Sequence, residues 1–415
     1  MKILPYIFLF LLVSINTLET TGYKLLLNDA ESTLDGTPLS TTEVNGVTYI
    51  DGVIKITLEG TYILSGTLNG QIKVSTTGTV VLVLNGVKIK NTSSNAILIT
   101  KAYELDSSTF NYDTAKSLDV TKAGVQIIIA DGSENIVDGA SQTGKDGAIH
   151  SDVSILFAGE SKGDGILNVI ASSEGIETDK HLFLTGGVLN IAAQDDGINA
   201  KEDRACIVII KGGKLLINSG LGKEGDGVDS NGYFLVEGGE IISQARPGAD
   251  SGLDAELGTI INGGVVWSVG SSMDMASTSS TQPTMNLIFN SNVSPSSKVT
   301  VKDSDGKEII SFCANDAEFI SGTERRTYLA AIVSHPDFKA NGVYHLFMDG
   351  TQLGYTGNEA GHFGPGGQGG PGGRGGFPGQ GSSSSSSSTS SSQDIKTDFI
   401  LGSSATNFSG VQKAL

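Results

Sequence analysis

The sequence predicts an all-β protein that folds as a right-handed parallel β-helix with a C-terminal antiparallel β cap. The first observation is a repeated phrase: an apolar strand, a Gly-Gly pair and a second apolar strand. The pairs begin at Gly186, Gly212, Gly238 and Gly263, at spacings of 26, 26 and 25 residues. A period of about 25 residues that holds about three short strands fits one coil of a parallel β-helix. The second observation is composition: of 415 residues, 56 are Gly and only 17% are charged, which favours many short strands joined by glycine turns.

A shorter phrase recurs out of phase with the first and marks one corner of each predicted coil. It consists of Gly, an apolar residue and then a polar or acidic residue, and it begins at Gly175, Gly197, Gly227 and Gly252. Ala148-Ile149-His150 is a degenerate earlier copy. The variable spacing predicts loops of different length that leave from the same corner. Leucine-rich repeats share the period but need regular Leu and Asn positions, which this sequence lacks, and a propeller blade needs a longer period of about 40 residues.

The N-terminal boundary of the repeat follows a segment with a different composition. An apolar run at 7–13 comes after Lys2 and predicts a signal peptide over residues 1–21, the alternative being a buried N-terminal strand. The protein is therefore expected to be secreted, and no later apolar run is long enough to predict a transmembrane segment. The parallel β-helix is expected over residues 22–275, with residues 103–121 as a loop insertion.

The repeat fades after the last Gly-Gly pair. Strand-like runs around a turn at Asp305-Gly306 predict the antiparallel cap over residues 276–411. Such a cap is expected because an exposed coil edge invites aggregation. The Gly/Pro/Ser-rich stretch at 361–393 cannot form a core and is expected to be a disordered insertion. Residues 398–411 either return as a last strand or belong to a disordered tail.

The charge and the cysteine count limit the possible partners. A formal charge of -18 argues against binding to a nucleic-acid backbone, which needs stripes of Lys and Arg, but it allows calcium and acidic sugars. Cys206 is expected to be a packed thiol, and a disulfide between Cys206 and Cys313 stays open. Sequons at Asn91, Asn292 and Asn407 matter only in a host that glycosylates. We expect a monomer.

Acids at the corner phrase are predicted to stack in columns. Equivalent residues of adjacent parallel coils lie about 4.8 Å apart, and carboxylates at that distance repel one another unless they are protonated or bridged by a cation. Calcium is the expected bridge because it is hard and accepts carboxylate and amide oxygens together. The alternative is a set of solvated Asp residues at turns, where Asp is common. The candidate ligands are Glu174, Glu177, Asp195, Asp196, Asn199, Asp226, Asp229, Asp250 and Asp254.

These phrases resemble the repeats of a family of bacterial secreted carbohydrate-binding β-helix proteins related to polysaccharide lyases. The resemblance rests on Asp195-Asp196-Gly197-Ile198, Asp226-Gly227-Val228-Asp229, the Gly-Gly pairs and the later Gly342-Val343-Tyr344, and it covers about residues 25–411. It implies binding of calcium, cellulose and pectin-type acidic polysaccharide. The spacing Asp195-Asp196-x-x-Asn199 also resembles the calcium cluster of pectate lyases, although Asn199 stands where that cluster has Asp.

Three functions remain open at the sequence level. The first is calcium-dependent binding of cell-wall or matrix polysaccharide without catalysis, for which Tyr233 and Trp267 are candidate sugar-stacking side chains. The second is a calcium-dependent lyase that acts by β-elimination, which needs a base near the metal. The third is a structural protein of the extracellular matrix, suggested by the serine tract and the glycine-rich loop. The candidate bases for the lyase are Lys201, Arg204, Lys223 and Arg246, each of which could equally be an exposed surface cation.

Overall fold

The computed structural model describes residues 22–39, 43–105, 110–271, 274–358 and 394–414, and almost all of its regular structure is β. The predicted signal peptide and the predicted disordered insertion at 361–393 lie outside the described residues. The first strands are β1 Tyr23–Leu27, β2 Thr33–Leu34, β3 Thr37–Pro38, β4 Val47–Ile50, β5 Val53–Ile56, β6 Gly60–Asn69, β7 Gln71–Ser75 and β8 Val80–Asn91. Helix α1 spans Tyr112–Lys116, and short 3-10 helices span Val120–Lys122 and Ala314–Asp316.

A regular series of strands fills the middle of the chain. It comprises β9 Ile97–Lys101, β10 Val125–Ile129, β11 Glu134–Gly139, β12 Ile149–Ser151, β13 Ile155–Gly159, β14 Ile166–Ala171, β15 Ile176–Thr178, β16 Leu182–Leu184, β17 Val188–Ala193, β18 Ile198–Ala200, β19 Ile207–Ile210, β20 Lys214–Asn218, β21 Val228–Ser230, β22 Tyr233–Val236, β23 Glu240–Gln244, β24 Asp254–Ala255, β25 Gly258–Ile261 and β26 Val265–Gly270. The C-terminal strands are β27 Thr284–Val293, β28 Val299–Asp303, β29 Glu308–Phe312, β30 Tyr328–Ser334, β31 Val343–Met348, β32 Thr351–Gly354, β33 Phe399–Ile400 and β34 Ala405–Lys413.

From β9 to β23, each strand of the regular series pairs in parallel with the strand three places further along the chain. The first row is β9, β12, β15, β18, β21 and β24. The second row runs from β10 to β25. The third row runs from β11 to β26. With β4, β5 and β7, the first row forms a nine-stranded sheet, and most other strands belong to a larger sheet. The prediction of an all-β protein is confirmed, with mostly parallel strands in large sheets.

Glycines make the turns between the second and third rows possible. The second Gly of each repeated pair has a positive φ: 77° at Gly187, 80° at Gly213, 82° at Gly239 and 84° at Gly264. Glycine adopts this left-handed backbone at little cost, whereas a side chain is strained there. The repeated Gly-Gly phrase of the sequence therefore corresponds to one repeated turn of the chain.

The core of the regular part is built from stacked aliphatic side chains on one face of each row. In the first row Ile149, Ile176, Ile198 and Val228 lie directly opposite one another and are completely buried. The alternation of strand side chains then directs the next residue of each strand to the outer face. This outer face of the first row carries four of the candidate metal ligands, Glu177, Asn199, Asp229 and Asp254.

The described residues of the insertion, 103–105 and 110–121, cover an apolar outer face of the second row. Leu156, Phe183, Ile209, Leu235 and Ile260 form a column in register along this row, and all are buried. The sequence predicts only a loop here, but the insertion forms α1, which is capped at its N-terminus by Asn111. The physical reason is that an outward-facing apolar column must be shielded from water.

The C-terminal part closes the end of the regular series with a mixed arrangement. Strand β30 is antiparallel to both β26 and β27, and β34 is parallel to β27. The predicted turn at Asp305-Gly306 joins the antiparallel strands β28 and β29. Of the two alternatives for residues 398–411, the structure has strands, β33 and β34. A stretch before β30, residues 317–327, lies across the third row and is called the strap below.

The two cysteines are both free thiols, and Cys206 is buried as expected for a packed thiol. No helix in the described part of the chain is long and apolar enough to cross a membrane.

Candidate functional site

The strand register aligns one predicted column of polar residues on the outer face of the first row. His150 lies opposite Glu177, Glu177 opposite Asn199, Asn199 opposite Asp229, and Asp229 opposite Asp254. These five residues stand at the third position of the corner phrase. The stacking that the sequence predicts for this column is thus present in the backbone.

A second column runs through the corner loops that precede the first-row strands. The backbone N–H of Gly175 donates to Asp196 O at 2.8 Å, and that of Gly197 donates to Asp226 O at 2.9 Å. One carboxylate oxygen of Asp196 also accepts from the backbone N–H of Asp226 at 2.7 Å, and Asp226 accepts from the N–H of Ser251. Each acid is therefore fixed by the loop of the next turn.

At one end the columns carry their own cations. Lys201 Nζ lies 2.9 Å from Glu177 Oε1 and 3.0 Å from Asp179 Oδ1. His150, which is fully buried, contacts Glu177 at 2.7 Å and Asp152 at 2.8 Å. Burial alone would raise the pKa of Glu177, but the hydrogen bonds from His150 and Lys201 outweigh burial, and the pKa lies below its usual range.

The other end of the columns is rich in carboxylates that no side-chain cation contacts within 4.0 Å, as far as the described residues go. We call this group the acid cluster; its members are Asp196, Asn199, Asp226, Asp229, Asp254 and Asp274. Burial, followed by the charge of Asp229, raises the pKa of Asp196 to about 9. Burial raises the pKa of Asp226 to about 8, and burial with the charge of Asp254 raises that of Asp229 to about 6.

Two further features complete the acid cluster. The Asp254 and Asp274 side chains are hydrogen-bonded to each other, and burial raises the pKa of both. The side-chain oxygen of Asn199 is buried and has no hydrogen-bond donor in the described structure, while its nitrogen lies 3.4 Å from Asp196 Oδ2. A buried acceptor without a donor is costly unless something else binds it. The acid cluster therefore combines one buried oxygen without a hydrogen-bond donor, that of Asn199, with carboxylates that no side-chain cation contacts in the described structure.

Asp274 is the member of the acid cluster that the sequence analysis missed. It follows β26, where the repeated phrases have faded, and its backbone N–H donates to Ser251 Oγ at 3.0 Å. Its side chain reaches Asp254 from one turn further along. Extending the column by one more turn beyond Asp254 would have found an acid 20 residues later.

The remaining predicted ligands lie beside the acid cluster or at the ion-paired end of the polar columns. Burial, then the charges of Glu224 and Asp250, raise the pKa of Asp195. Burial also raises the pKa of Glu174, whose oxygens lie within 4.8 Å of oxygens of Asp146 and Glu177. Glu177, however, already contacts Lys201 and His150.

The four candidate bases have different surroundings. Lys201 is held by Glu177 and Asp179, as described above, and Arg204 pairs with Glu256 on the exposed surface. Lys223 is exposed, on the loop that contains Asp226. Arg246 donates to the carbonyl oxygen of Gly222 on that same loop.

Neither candidate sugar-stacking residue is a free aromatic surface. Trp267 is only 2% exposed, and its ring stacks on Phe312 with centroids 5.4 Å apart. Tyr233 is half-buried, with its ring 5.4 Å from that of Tyr112 in α1 and 6.0 Å from that of Phe110. Trp267 lies in the core because its ring packs into the hydrophobic cluster of the C-terminal strands, which includes Phe312 and Tyr328 and which the sequence analysis did not predict.

Comparison with known proteins places these residues in a family. A family model described as "Carbohydrate-binding domain-containing protein" matches residues 50–317, well over half of the chain. The chain belongs to this carbohydrate-binding domain-containing family. The whole acid cluster lies inside the matched range, and most of the strap lies beyond it. The carbohydrate-binding family predicted from the sequence is confirmed.

The chain is also similar to one relative and to one solved structure. A carbohydrate-binding domain-containing protein of Acetivibrio thermocellus is 32% identical over 177 residues, which are 40% of this chain and 54% of the relative. The chain thus matches about half the length of that relative. A solved polysaccharide lyase-like protein from C. thermocellum is similar with a TM-score of 0.41 and 24% identity, covering 58% of this chain and 91% of the other.

Proposed function

We propose that this member of the carbohydrate-binding family is a secreted protein that binds cell-wall or matrix polysaccharide in a calcium-dependent manner. In this proposal residues 22–275 form a right-handed parallel β-helix, with the three rows as its faces. The pairing of each strand with the strand three places later supports this fold. Family membership supports binding to carbohydrate.

The observation that carries the calcium proposal is the contrast between the two ends of the polar columns. Where His150 supplies a hydrogen bond and Lys201 supplies a hydrogen bond and positive charge, the pKa of Glu177 is lowered. Where no such cation contacts the carboxylates, the pKa values of Asp196 and Asp226 are raised to about 9 and 8. A divalent ion at the acid cluster would stabilise the ionised carboxylates there, as Lys201 stabilises ionised Glu177 at the other end.

The chemistry of the acid cluster fits calcium better than other metals. Its donors are all carboxylate and amide oxygens, which calcium accepts in flexible geometry. Zinc prefers His and Cys ligands, and the described cluster contains neither. A calcium ion held by the protein on one side can also bind the hydroxyl or carboxylate oxygens of a glycan on its open side. An acidic glycan, in particular, would share its negative charge with the same ion.

Binding to polysaccharide with and without calcium tests this function. The purified protein is incubated with insoluble cellulose, with pectin and with chitin, in calcium or in a chelator, and the bound fraction is measured. We expect retention on at least one polysaccharide in calcium and release by the chelator. Asp229→Asn should reduce retention, and Asp113→Asn, which changes an exposed acid of α1, is the matched control. Equal retention in chelator would contradict the calcium dependence.

A lyase is the second candidate, and one observation favours it. Arg246 and Lys223 lie at the loop of Asp226, and neither pairs with a carboxylate in the described structure. A lysine or arginine beside a metal-bound uronate could, in its neutral form, take the α-proton as the base of β-elimination. Incubation with polygalacturonate in calcium decides the matter, because elimination creates unsaturated products that absorb ultraviolet light. The absence of such products together with retention on pectin would favour binding without catalysis.

A further inference from the structure

The strap at residues 317–327 contacts the outer face of the third row through a series of hydrogen bonds and an ion pair. Lys214 of β20 lies 2.7 Å from Glu318. Asn218, the last residue of β20, donates to Thr323 Oγ1 and to Glu324 O, both at 2.9 Å. The strap thus follows β20 toward its C-terminal end.

Arg326 anchors the strap and is unusually placed for an arginine. It is 8% exposed, and its Nη2 donates to Asn218 Oδ1 at 3.0 Å and to the carbonyl oxygen of Ser219. The same nitrogen lies 3.4 Å from the carbonyl oxygen of Gln244. Its Nε and Nη1 have no acceptor, and no carboxylate lies within 4.0 Å of the guanidinium, among the residues that the structure describes. A buried cation without a direct partner is costly.

The acceptors of Arg326 are the points at which two loops leave the third row toward the acid cluster. Asn218 ends β20, and Ser219 begins the loop that contains Asp226. Gln244 ends β23, and the next loop contains Asp250 and ends at Asp254. One guanidinium therefore joins the exits of two successive loops that carry predicted calcium ligands.

The charge of Arg326 also interacts with an acid of these two loops. Burial lowers its pKa to about 10, the charges of Glu324 and Asp250 oppose this shift, and the positive charges of Arg246 and Arg325 add to it. Asp250 belongs to the second of the two loops. The stability of the charged form of Arg326 thus depends on acids beside the cluster. By the same interaction, Arg326 affects the stability of the ionised form of those acids.

We infer that Arg326 is a positioning residue for the calcium ligands: it holds the loop of Asp226 and the loop of Asp250 at the spacing that lets them share an ion. This inference rests on the proposed calcium function. It assigns to the C-terminal strap a role in the site of the carbohydrate-binding domain. Residues that orient metal ligands from outside the coordination sphere typically change metal affinity about 10- to 100-fold when they are replaced.

Calcium titration calorimetry on the full chain tests the inference. The variants are Arg326→Gln and Arg326→Lys, with Lys214→Gln as the matched control because it loosens the strap at its far end. We expect Arg326→Gln to weaken calcium binding about 10- to 100-fold. Arg326→Lys keeps the charge but not the fork of donors, so its loss should be smaller but measurable. Lys214→Gln should lower the melting temperature and leave the calcium affinity unchanged.

The outcomes separate the two proposals. If the wild-type protein binds calcium and a folded Arg326 variant binds it equally well, Arg326 is a structural residue only and the inference is overturned. Should Arg326→Gln fail to fold, the Lys variant decides by the same criterion. An equal loss of affinity in Lys214→Gln would mean that the strap acts as a whole, which also overturns the specific role of Arg326. A wild-type protein that binds no calcium overturns both proposals.

Discussion

Neighbouring charges, rather than residue type, distinguish the acids of the polar columns. Glu177 and Asp229 stand two strands apart in the same column, and burial opposes ionisation of both. The hydrogen bonds from His150 and Lys201 reverse this effect for Glu177, whereas the charge of Asp254 adds to it for Asp229. The same position of the column can therefore hold either an ion-paired carboxylate or one that no side-chain cation contacts in the described structure.

Replacing Asp229 should have opposite effects with and without calcium. Asp229→Asn removes a carboxylate whose ionised form is disfavoured, so at pH 8 in chelator the free energy of unfolding should rise by about 1–2 kcal/mol. Calcium binding should weaken because a charged ligand is lost. Urea unfolding in chelator and in calcium measures both effects. A variant that is destabilised in both conditions would contradict this account of the acid cluster.

Removing Lys201 should leave the carboxylates at the other end of the columns without their lysine partner. Lys201→Met leaves Glu177 and Asp179 without their shared cation, and since Lys201 is partly exposed we expect a loss of about 1–3 kcal/mol. Calcium should restore part of this loss, because the oxygens of Glu177 and Asp179 lie close enough together to hold a metal with His150. Calcium stoichiometry and urea unfolding are the measurements, and Lys201→Arg is the control. No gain in bound calcium would argue against equivalent positions along the column.

The sequence analysis predicted the alignment of the polar columns. It did not predict that the carboxylates are ion-paired at one end of the columns and lack a contacting side-chain cation at the other. The phrase around Gly175, Gly197 and Gly227 is enough to align Glu177, Asn199 and Asp229, because strand spacing is fixed by backbone hydrogen bonds. The pairing of Lys201 with Glu177 depends on side chains from neighbouring turns, which the repeat does not specify. Asp274 was missed because its backbone leaves the repeat before its side chain returns to Asp254.

At the scale of elements, the turns between the second and third rows lie close against one another from one repeat to the next. A Cβ at Gly213 would lie 2.7 Å from the carbonyl oxygen of Gly187 in the preceding turn. These turns therefore need glycine for two reasons, the positive φ and the close approach of the neighbouring backbone. The repeated Gly-Gly phrase made this element the most predictable part of the fold.

Two glycine substitutions distinguish the effect of the positive φ from the effect of the close approach of the neighbouring backbone. Gly86 has a φ of 77°, but a Cβ there meets no atom within 4 Å. Gly86→Ala should cost about 1–2 kcal/mol from the left-handed backbone alone. Gly213→Ala should cost about 3 kcal/mol, since the clash adds to the same strain. Thermal or urea unfolding of both variants measures the difference, and equal costs would show that the close approach can relax.

The insertion that covers the second row was only partly predictable. Its position at 103–121 follows from the gap between strand-like runs, but α1 does not, because a helix of five residues has little signal of its own. What orders it is the apolar column beneath, from Leu156 to Ile260. That column is visible only after the strand register is known.

At the scale of the whole molecule, stability without metal should depend strongly on pH. The pKa values of Asp196, Asp226 and Asp229 are raised to about 9, 8 and 6 in the folded protein, against about 3.9 in an unfolded chain. Between these values the folded protein holds more protons than the unfolded chain, so the free energy of unfolding falls as the pH rises. In chelator the melting temperature should therefore decrease from pH 5 to pH 9.

Calcium should remove most of this decrease. The ion stabilises the ionised carboxylates, so the melting temperature in saturating calcium should change little between pH 5 and pH 9, and calcium binding at pH 7 should release protons. Differential scanning calorimetry gives the first quantity, and titration calorimetry in buffers of different ionisation enthalpy gives the second. A pH profile that is identical in calcium and in chelator would contradict a metal-linked acid cluster.

The all-β class could be predicted because a short period repeats many times. The C-terminal part repeats nothing, and its pairings, such as β26 with β30, join strands about 60 residues apart in sequence. This explains why the sequence analysis treated Trp267 as a candidate surface residue, whereas the structure buries it in the hydrophobic cluster of the C-terminal strands. The strap and Arg326 escaped prediction for the same reason.

The alignment of polar residues from one turn to the next also limits how the ion capacity of this protein can change. Each turn adds one position to the column, occupied here by His150, Glu177, Asn199, Asp229 or Asp254. A substitution that brings a lysine to one turn closes that turn to metal, and one that removes a lysine opens it. Under the proposed function, related chains should therefore differ in bound ions by whole steps, with the scaffold unchanged.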